Sequence, residues 1–454
     1  MFVPLPLLMP MNPYATHYKS LACLGAPIIV GQIGTIVLGV ADTLMIGNHS
    51  TPELAAAAFV NNVFALFIIF SMGFSYGLTP VVGSLFGQGK VKNIGEMVKN
   101  SLFVNTLLAA LLLVVMGMIY FNIDRMGQPG ELLPLMRPYF LVNLVSIPFV
   151  LWFNTFKQLS DGVADTKTPM WILVGGNTFN IVGNYALIYG RWGLPEWGLL
   201  GAGISTMASR ILMASALFLV FWGRKSYRLY CKGFFHGRIN RADCILLNRL
   251  GWPLGLQMGM ETAAFSFSSV MVGWLGTNAL AAHQVMLTVS QFFYMVYYGV
   301  GAAVAVRVSH FYGQRDYKAI HLSAAAGFHI ILFIAFVVSI PVLLLRNDIS
   351  GWFTDSREVS VLAARLFFPL IVYQLGDGLQ ITYANALRGL SDVKPLAYTA
   401  FIAYFLISLP VGYFLGIVLG WGVLGIWAAF PFGLTSAGLL YYYFFERRMK
   451  QIKL

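Results

Sequence analysis

A run of about twenty apolar residues is long enough, at ~1.5 Å per residue, to cross the ~30 Å hydrocarbon core of a bilayer. This chain repeats such runs twelve times, at roughly 24–47, 54–79, 99–121, 138–158, 170–190, 199–222, 251–275, 280–305, 323–345, 365–387, 397–419 and 423–445, each bounded by polar or Gly/Pro punctuation. With no water to satisfy backbone groups at that depth, each run must be helical. Only 10% of the 454 residues are charged and 58% are hydrophobic, whereas about a quarter charged is usual for soluble domains. The sequence therefore predicts an all-α integral membrane protein with twelve transmembrane helices.

The twelve runs are two sets of six. Leu24 to Gln88 aligns without a gap on Leu250 to Gln314, 226 positions further on, with 15 of 65 positions identical. A second pair follows, Gly162-Val163-Ala164-Asp165 against Gly389-Leu390-Ser391-Asp392, each leading to a Lys and a Pro. An even number of spans per half makes the repeats parallel, the plan of many secondary transporters, with sites between or within two related lobes. The expected division is an amino-terminal cytoplasmic segment (1–23), an N-lobe (24–222), a basic cytoplasmic linker (223–250), a C-lobe (251–445) and a cytoplasmic tail (446–454).

Charge placement orients the chain. Of 29 Lys and Arg, 22 fall in the termini and loops on one side, including seven in the linker, six fall on the other side, and Arg210 lies within a span. By the positive-inside rule both termini are expected in the cytoplasm, and the linker is expected to lie along the anionic inner leaflet. The net charge of +12 is dispersed over short loops and forms no single stripe, which argues against nucleic acid. Cys23, Cys231 and Cys244 have neither metal nor disulfide spacing and read as free thiols. Residues 1–10 are apolar but lack a basic leader and a cleavage site, so Met11 is a candidate start.

Polar groups inside apolar spans are costly and so mark function or helix-to-helix bonding. Glu261 stands mid-span, sharing a helix face with Gln257; its plain alternative is a tie between two helices. Asp377 lies at similar depth in the tenth span, with Tyr373 one turn before it and Gln380 about one turn after. Two carboxylates and a phenol could hold a hard monovalent cation or share a proton, and the sequence does not choose between Na+ and H+. In the first span Gln32 and Asp42 share a face, and Asp42 could equally be an interfacial carboxylate. Asn180 and Asn184, one turn apart in the fifth span, would bond Asp42 if they face it and would otherwise join neighbouring helices. No nucleophile, phosphate-loop or metal-ligand spacing occurs, so neither an enzyme nor a cofactor is expected.

Several segments in order, VADTLMIG (Val40 to Gly47) with the ELAAAAF run after it, LFGQGK, GLPEWGLLGAGIST (Gly193 to Thr206) and ALRGLSDVKP (Ala386 to Pro395), resemble the multidrug and toxic compound extrusion (MATE) transporters, NorM-type branch. The resemblance covers essentially the whole chain. It implies a C-lobe cation site of Glu261, Tyr373 and Asp377, and an N-lobe proton or substrate site of Asp42, Asn180 and Asn184, with Gln32, Gln257 and Gln380 in support. It further implies a monomeric, Na+- or H+-coupled antiporter of the bacterial cytoplasmic (inner) membrane that exports organic, largely cationic, drugs by alternating access. An archaeal member of the family has Asp where this chain has Asn184. The alternative reading is a lipid-linked oligosaccharide flippase of a related superfold, which would be expected to line its cavity with cations.

Overall fold

The computed structural model describes residues 13–354 and 356–453. The amino-terminal stretch that bears on the choice of Met11 lies outside the described residues. Twelve helices of spanning length follow one another: α1 (Ala15–His49), α2 (Thr51–Gly87, with a turn at Tyr76 and Gly77), α3 (Val91–Phe121), α4 (Leu133–Gly162), α5 (Lys167–Ile188), α6 (Gly198–Gly223), α7 (Arg241–Gly273), α8 (Thr277–Gln314), α9 (Tyr317–Leu344), α10 (Arg357–Gly389), α11 (Lys394–Val418) and α12 (Val423–Lys453). Ten of these are apolar enough throughout to be membrane spans by composition. The two that fall short, α5 and α7, are the ones carrying Asn177, Asn180 and Asn184, and Glu261.

Each expected span is found, but most helices run past it. α7 begins at Arg241, well before residue 251, and α8 continues to Gln314, past residue 305. Helical backbone satisfies its own hydrogen bonds, so a helix leaving the bilayer need not stop where its apolar face does. The linker proper is consequently shorter than 223–250, and it is not a loose tether. Its helix, Arg228–His236, packs on α3 so closely that a Cβ on Gly95 would overlap the Tyr230 carbonyl oxygen, and one on Gly233 that of Lys92. The residues beyond it are pinned as well: Lys99 Nζ donates to Gly237 O at 2.8 Å, and Asn240 N donates to Asn100 Oδ1 at 2.7 Å. The tail likewise continues α12 through Lys453.

The duplication is visible in the backbone. After α4, Ala164 takes a left-handed φ of 64° and Asp165 N donates to Ser160 O at 2.8 Å; after α10, Ser391 takes a φ of 58° and Asp392 N donates to Leu387 O at 3.0 Å. Both are the same left-handed helix stop, reached by a non-glycine residue in each repeat.

Among the described residues the lobes join at one end. At the end that carries the linker and the last helix's basic residues, one apolar cluster draws on both lobes, including Leu21, Tyr76, Val82 and Leu159 from one and Leu250, Tyr298, Val308 and Leu387 from the other. Farther along, separate clusters fill the N-lobe (Ile46, Val60, Phe140, Leu199) and the C-lobe (Met271, Met286, Phe367, Trp427). Small residues let the helices meet at the joined end: a Cβ on Gly83 would overlap Ser309, one on Gly87 the His310 carbonyl oxygen, and one on Gly313 that of Ser84. Hydrogen bonds cross the seam from Tyr298 to Tyr76 (2.5 Å), from His310 Nε2 to Gly162 O (2.7 Å), and between His17 Nδ1 and Ser323 Oγ (2.9 Å). Val37, Val40 and Leu44, on the far half of α1, are by contrast more than half exposed. The molecule is a V, closed at the basic end and open at the other.

Candidate functional site

In the N-lobe, Asp42 sits two turns before the end of α1, opposite α5. Asn184 Nδ2 donates to Asp42 Oδ1 at 2.5 Å. With the Asn180 amide turned so that its nitrogen faces α1, that nitrogen lies 3.1 Å from the same carboxylate oxygen, and its oxygen accepts from Thr206 Oγ1 at 3.1 Å. Both amides therefore converge on Asp42, the first of the two contacts open to them in the sequence. They are fully buried, and Ser205 Oγ of α6 fixes α5 by donating to the Asn180 carbonyl at 2.8 Å. Asn184 Oδ1 is left without a donor. An amide can offer donors to a carboxylate whether the acid is charged or neutral, so the arrangement permits Asp42 to change state without losing its partners. Gln32, half-buried three turns earlier on α1, makes no bond to this cluster among the described residues.

In the C-lobe, Glu261 of α7 projects into a small cavity of about 50 Å³ lined by Gln257, Tyr294, Gln380 and Asn385 and floored by Tyr76, Tyr298 and Arg388. Gln380, which lines the same cavity as Glu261, donates from Nε2 to Tyr404 OH at 2.7 Å. Gln380 Oε1 is buried and has no donor. Asp377 and Tyr373, one turn apart on α10, are each 4% exposed. Tyr373 is held by a ring cluster, with Trp427 at 6.2 Å and Phe430 at 6.4 Å between centroids. Trp427 in turn donates to His283 Nδ1 at 3.0 Å, and His283 Nε2 meets Ser269 Oγ at 2.9 Å. The C-lobe set offers two carboxylates, an amide oxygen without a donor and a phenol, all oxygen donors suited to a small hard cation. No three His, Cys, Asp or Glu gather as a metal site among the described residues.

Tyr404, Thr206 and Arg210 belong to these clusters although the sequence did not single them out for a site. Tyr404 sits in a π-helical stretch of α11, Phe401–Ser408, and such widened turns often accompany functional positions. Its segment reads as uniformly apolar, so no sequence signal marked it. Arg210 did stand out as a basic residue in the middle of a span, where Lys99, Lys157 and Arg365 lie at span ends.

Comparison with known proteins matches this architecture. The MatE family model fits the chain twice, over residues 27–186 and 253–414, one match per repeat. A multidrug resistance protein NorM of Vibrio cholerae is 30% identical over 439 residues, spanning 95% of both chains. A multidrug resistance protein MdtK of Pectobacterium atrosepticum is 30% identical over 442 residues, again spanning 95% of both. Among solved structures, an outward-facing multidrug resistance MATE transporter superposes with a TM-score of 0.88 at 18% identity, covering 96% of this chain and 97% of that one. A mutant form of the Vibrio cholerae MATE transporter VcmN gives 0.88 at 15% identity, covering 96% and 98%. Built as two parallel six-helix repeats and matched along both, the chain belongs to the MATE family and is a membrane transporter of NorM type.

Proposed function

We propose that this transporter is a cation-coupled drug exporter, taking up Na+ or H+ as it releases an organic, largely cationic, compound by alternating access. The observation that carries the reading is the pairing of a one-ended seam between the lobes with acids inside each lobe, the half-buried Asp42 in one and the half-buried Glu261 and buried Asp377 in the other. On this reading the basic end faces the cytoplasm, as its Lys and Arg content favours; the closed seam there corresponds to an outward-open state, and opening it at Tyr76, Tyr298 and His310 would give the inward-open one. The relatives named for multidrug resistance support the substrate class.

The carboxylates fit the exchange. With an ion bound, Glu261 and Asp377 are neutralised and release a cationic substrate; freed of the ion, they attract the next. One charge falling through 100 mV supplies about 2.3 kcal/mol, enough for roughly fifty-fold accumulation. Tyr373 and Gln380 complete the oxygen set, Gln257 lines the same cavity, and Asp42 with its two amides offers the N-lobe a second acid.

The test is efflux of ethidium from proteoliposomes under an imposed Na+ gradient and, separately, under a pH gradient. Glu261→Gln and Asp377→Asn, checked for folding and insertion, are expected to abolish the response to the coupling ion; undiminished efflux in both sinks the ion site. Conduction without exchange would make the protein a channel.

A further inference from the structure

A chain of hydrogen bonds inside the C-lobe is not used by the exchange described above. His283 of α8 and Trp427 of α12 are fully buried, in a setting where an unbonded imidazole or indole nitrogen is costly. Trp427 Nε1 donates to His283 Nδ1 at 3.0 Å, and His283 Nε2 meets Ser269 Oγ of α7 at 2.9 Å. Ser269 Oγ in turn donates to the Phe265 carbonyl oxygen at 3.0 Å. An indole nitrogen can only donate, so His283 Nδ1 accepts and the ring hydrogen sits on Nε2, which donates to the serine oxygen. The three bonds therefore run in one direction, from α12 through α8 to α7, and hold the imidazole in one tautomer. Both ends of the chain adjoin the helices of the ion site. Phe265 is one turn past Glu261 on α7 and stacks on Phe430 of α12, with centroids 5.0 Å apart. Trp427 lies 5.2 Å from Phe430 and 6.2 Å from Tyr373, which stands one turn before Asp377 on α10.

We propose that His283 is a positioning residue of the C-lobe ion site: by pinning the Trp427 indole it fixes the ring of Tyr373, and with it the phenol oxygen offered to the coupling ion. This rests on the reading of Glu261, Tyr373 and Asp377 as that ion's site. The indole packs on the Tyr373 ring at an interplanar angle of 32°, and it cannot turn without breaking its bond to His283. Ser269 anchors the imidazole to α7 two turns past Glu261, so the helix of one acid and the ring beside the other are held by the same side chain. Groups that orient a ligand without touching the ion commonly set the ion's affinity, because oxygens already in place need no ordering when it arrives. A strut that merely tied α7, α8 and α12 together would instead affect the amount of folded protein and leave the ion dependence alone.

The experiment uses the reconstituted full chain and two readouts: fluorine NMR of a ring-fluorinated tyrosine in place of Tyr373, and ethidium efflux at limiting and at saturating concentrations of the ion that drives it. His283→Leu removes the acceptor for Trp427. It is expected to split or broaden the Tyr373 resonance and to slow efflux about tenfold at limiting ion, with the saturated rate nearly unchanged. His283→Gln keeps an acceptor and a donor and is expected to restore both readouts. In a Tyr373→Phe background His283→Leu is expected to add nothing, since the oxygen it positions is gone. Either an unmoved resonance or an unaltered ion dependence overturns the proposal, as does a full-sized effect in the Tyr373→Phe background. Should His283→Leu not fold, Trp427→Phe keeps a ring against Tyr373 but loses the N–H and is expected to change both readouts in the same way; an unmoved resonance there overturns the proposal too. Efflux that answers to neither ion, or that survives Asp377→Asn undiminished, refutes the ion site and the proposal with it. A lost response in Asp377→Asn beside a normal one in His283→Leu refutes the proposal alone.

Discussion

Enlarging Gly87 is expected to hold the basic end open. In the closed seam a Cβ at Gly87 would overlap the His310 carbonyl oxygen, a backbone atom that no rotamer change can move aside. Gly87→Ala therefore forces α2 and α8 apart where they meet, and overpacking of this kind costs about 1–3 kcal/mol. The contact lies between lobes, so the cost falls on the closed state and hardly at all on the folding of either lobe. At about 1.4 kcal/mol per factor of ten, the ratio of open to closed seam is expected to rise roughly 5- to 150-fold. Spin labels at Lys90 and Lys318, both exposed at the basic end on opposite lobes, report the change by double electron–electron resonance as growth of a longer-distance population. The reasoning is refuted if the distance distribution matches that of the unmodified Gly87 protein while the protein remains folded.

Two further experiments probe the joined end. Lys157 Nζ and Asp161 Oδ2 form a buried pair at 2.7 Å, one turn apart on α4; Lys157→Met leaves Asp161 buried and unpaired, an expected loss of about 3–5 kcal/mol. Adding Asp161→Leu is expected to restore most of the thermal stability, measured by fluorescence-detected size exclusion after heating, and a double variant no better than the single one refutes the pairing argument. Gly95→Val strikes the Tyr230 carbonyl and is expected to release the linker helix from α3, so that limited trypsin cuts at Arg228 or Lys232 several-fold faster; an unchanged rate would show that the linker is held by other contacts.

The twelve spans, the two-fold repeat and the positions of Glu261, Asp377 and Asp42 along their helices were legible because they are one-dimensional properties. Length and hydropathy fix where a helix can cross a bilayer, and a duplication leaves the same residues at a fixed offset, as at Asp165 and Asp392. The convergence of Asn180 and Asn184 on Asp42 was half legible: the i, i+4 spacing puts the amides on one face, but which neighbour that face meets depends on how α1 and α5 are rotated against each other. Tyr404, Thr206 and Gln380's bond to Tyr404 were not legible, since the bonds depend on how consecutive helices are rotated against each other and a lone aromatic or hydroxyl in an apolar span carries no pattern. The single-ended seam is also a tertiary decision. Gly83, Gly87 and Gly313 read as three glycines among 46, and only the approach of α2 to α8 shows that each is small because the other helix occupies the place of its side chain, with the Ser309 side chain at Gly83 and backbone carbonyls at the other two. Hydrophobicity together with the two-fold repeat determined that this chain lives in a membrane and where its spans lie; packing between helices, which hydrophobicity does not encode in a lipid solvent, decided where the lobes join and which polar groups meet.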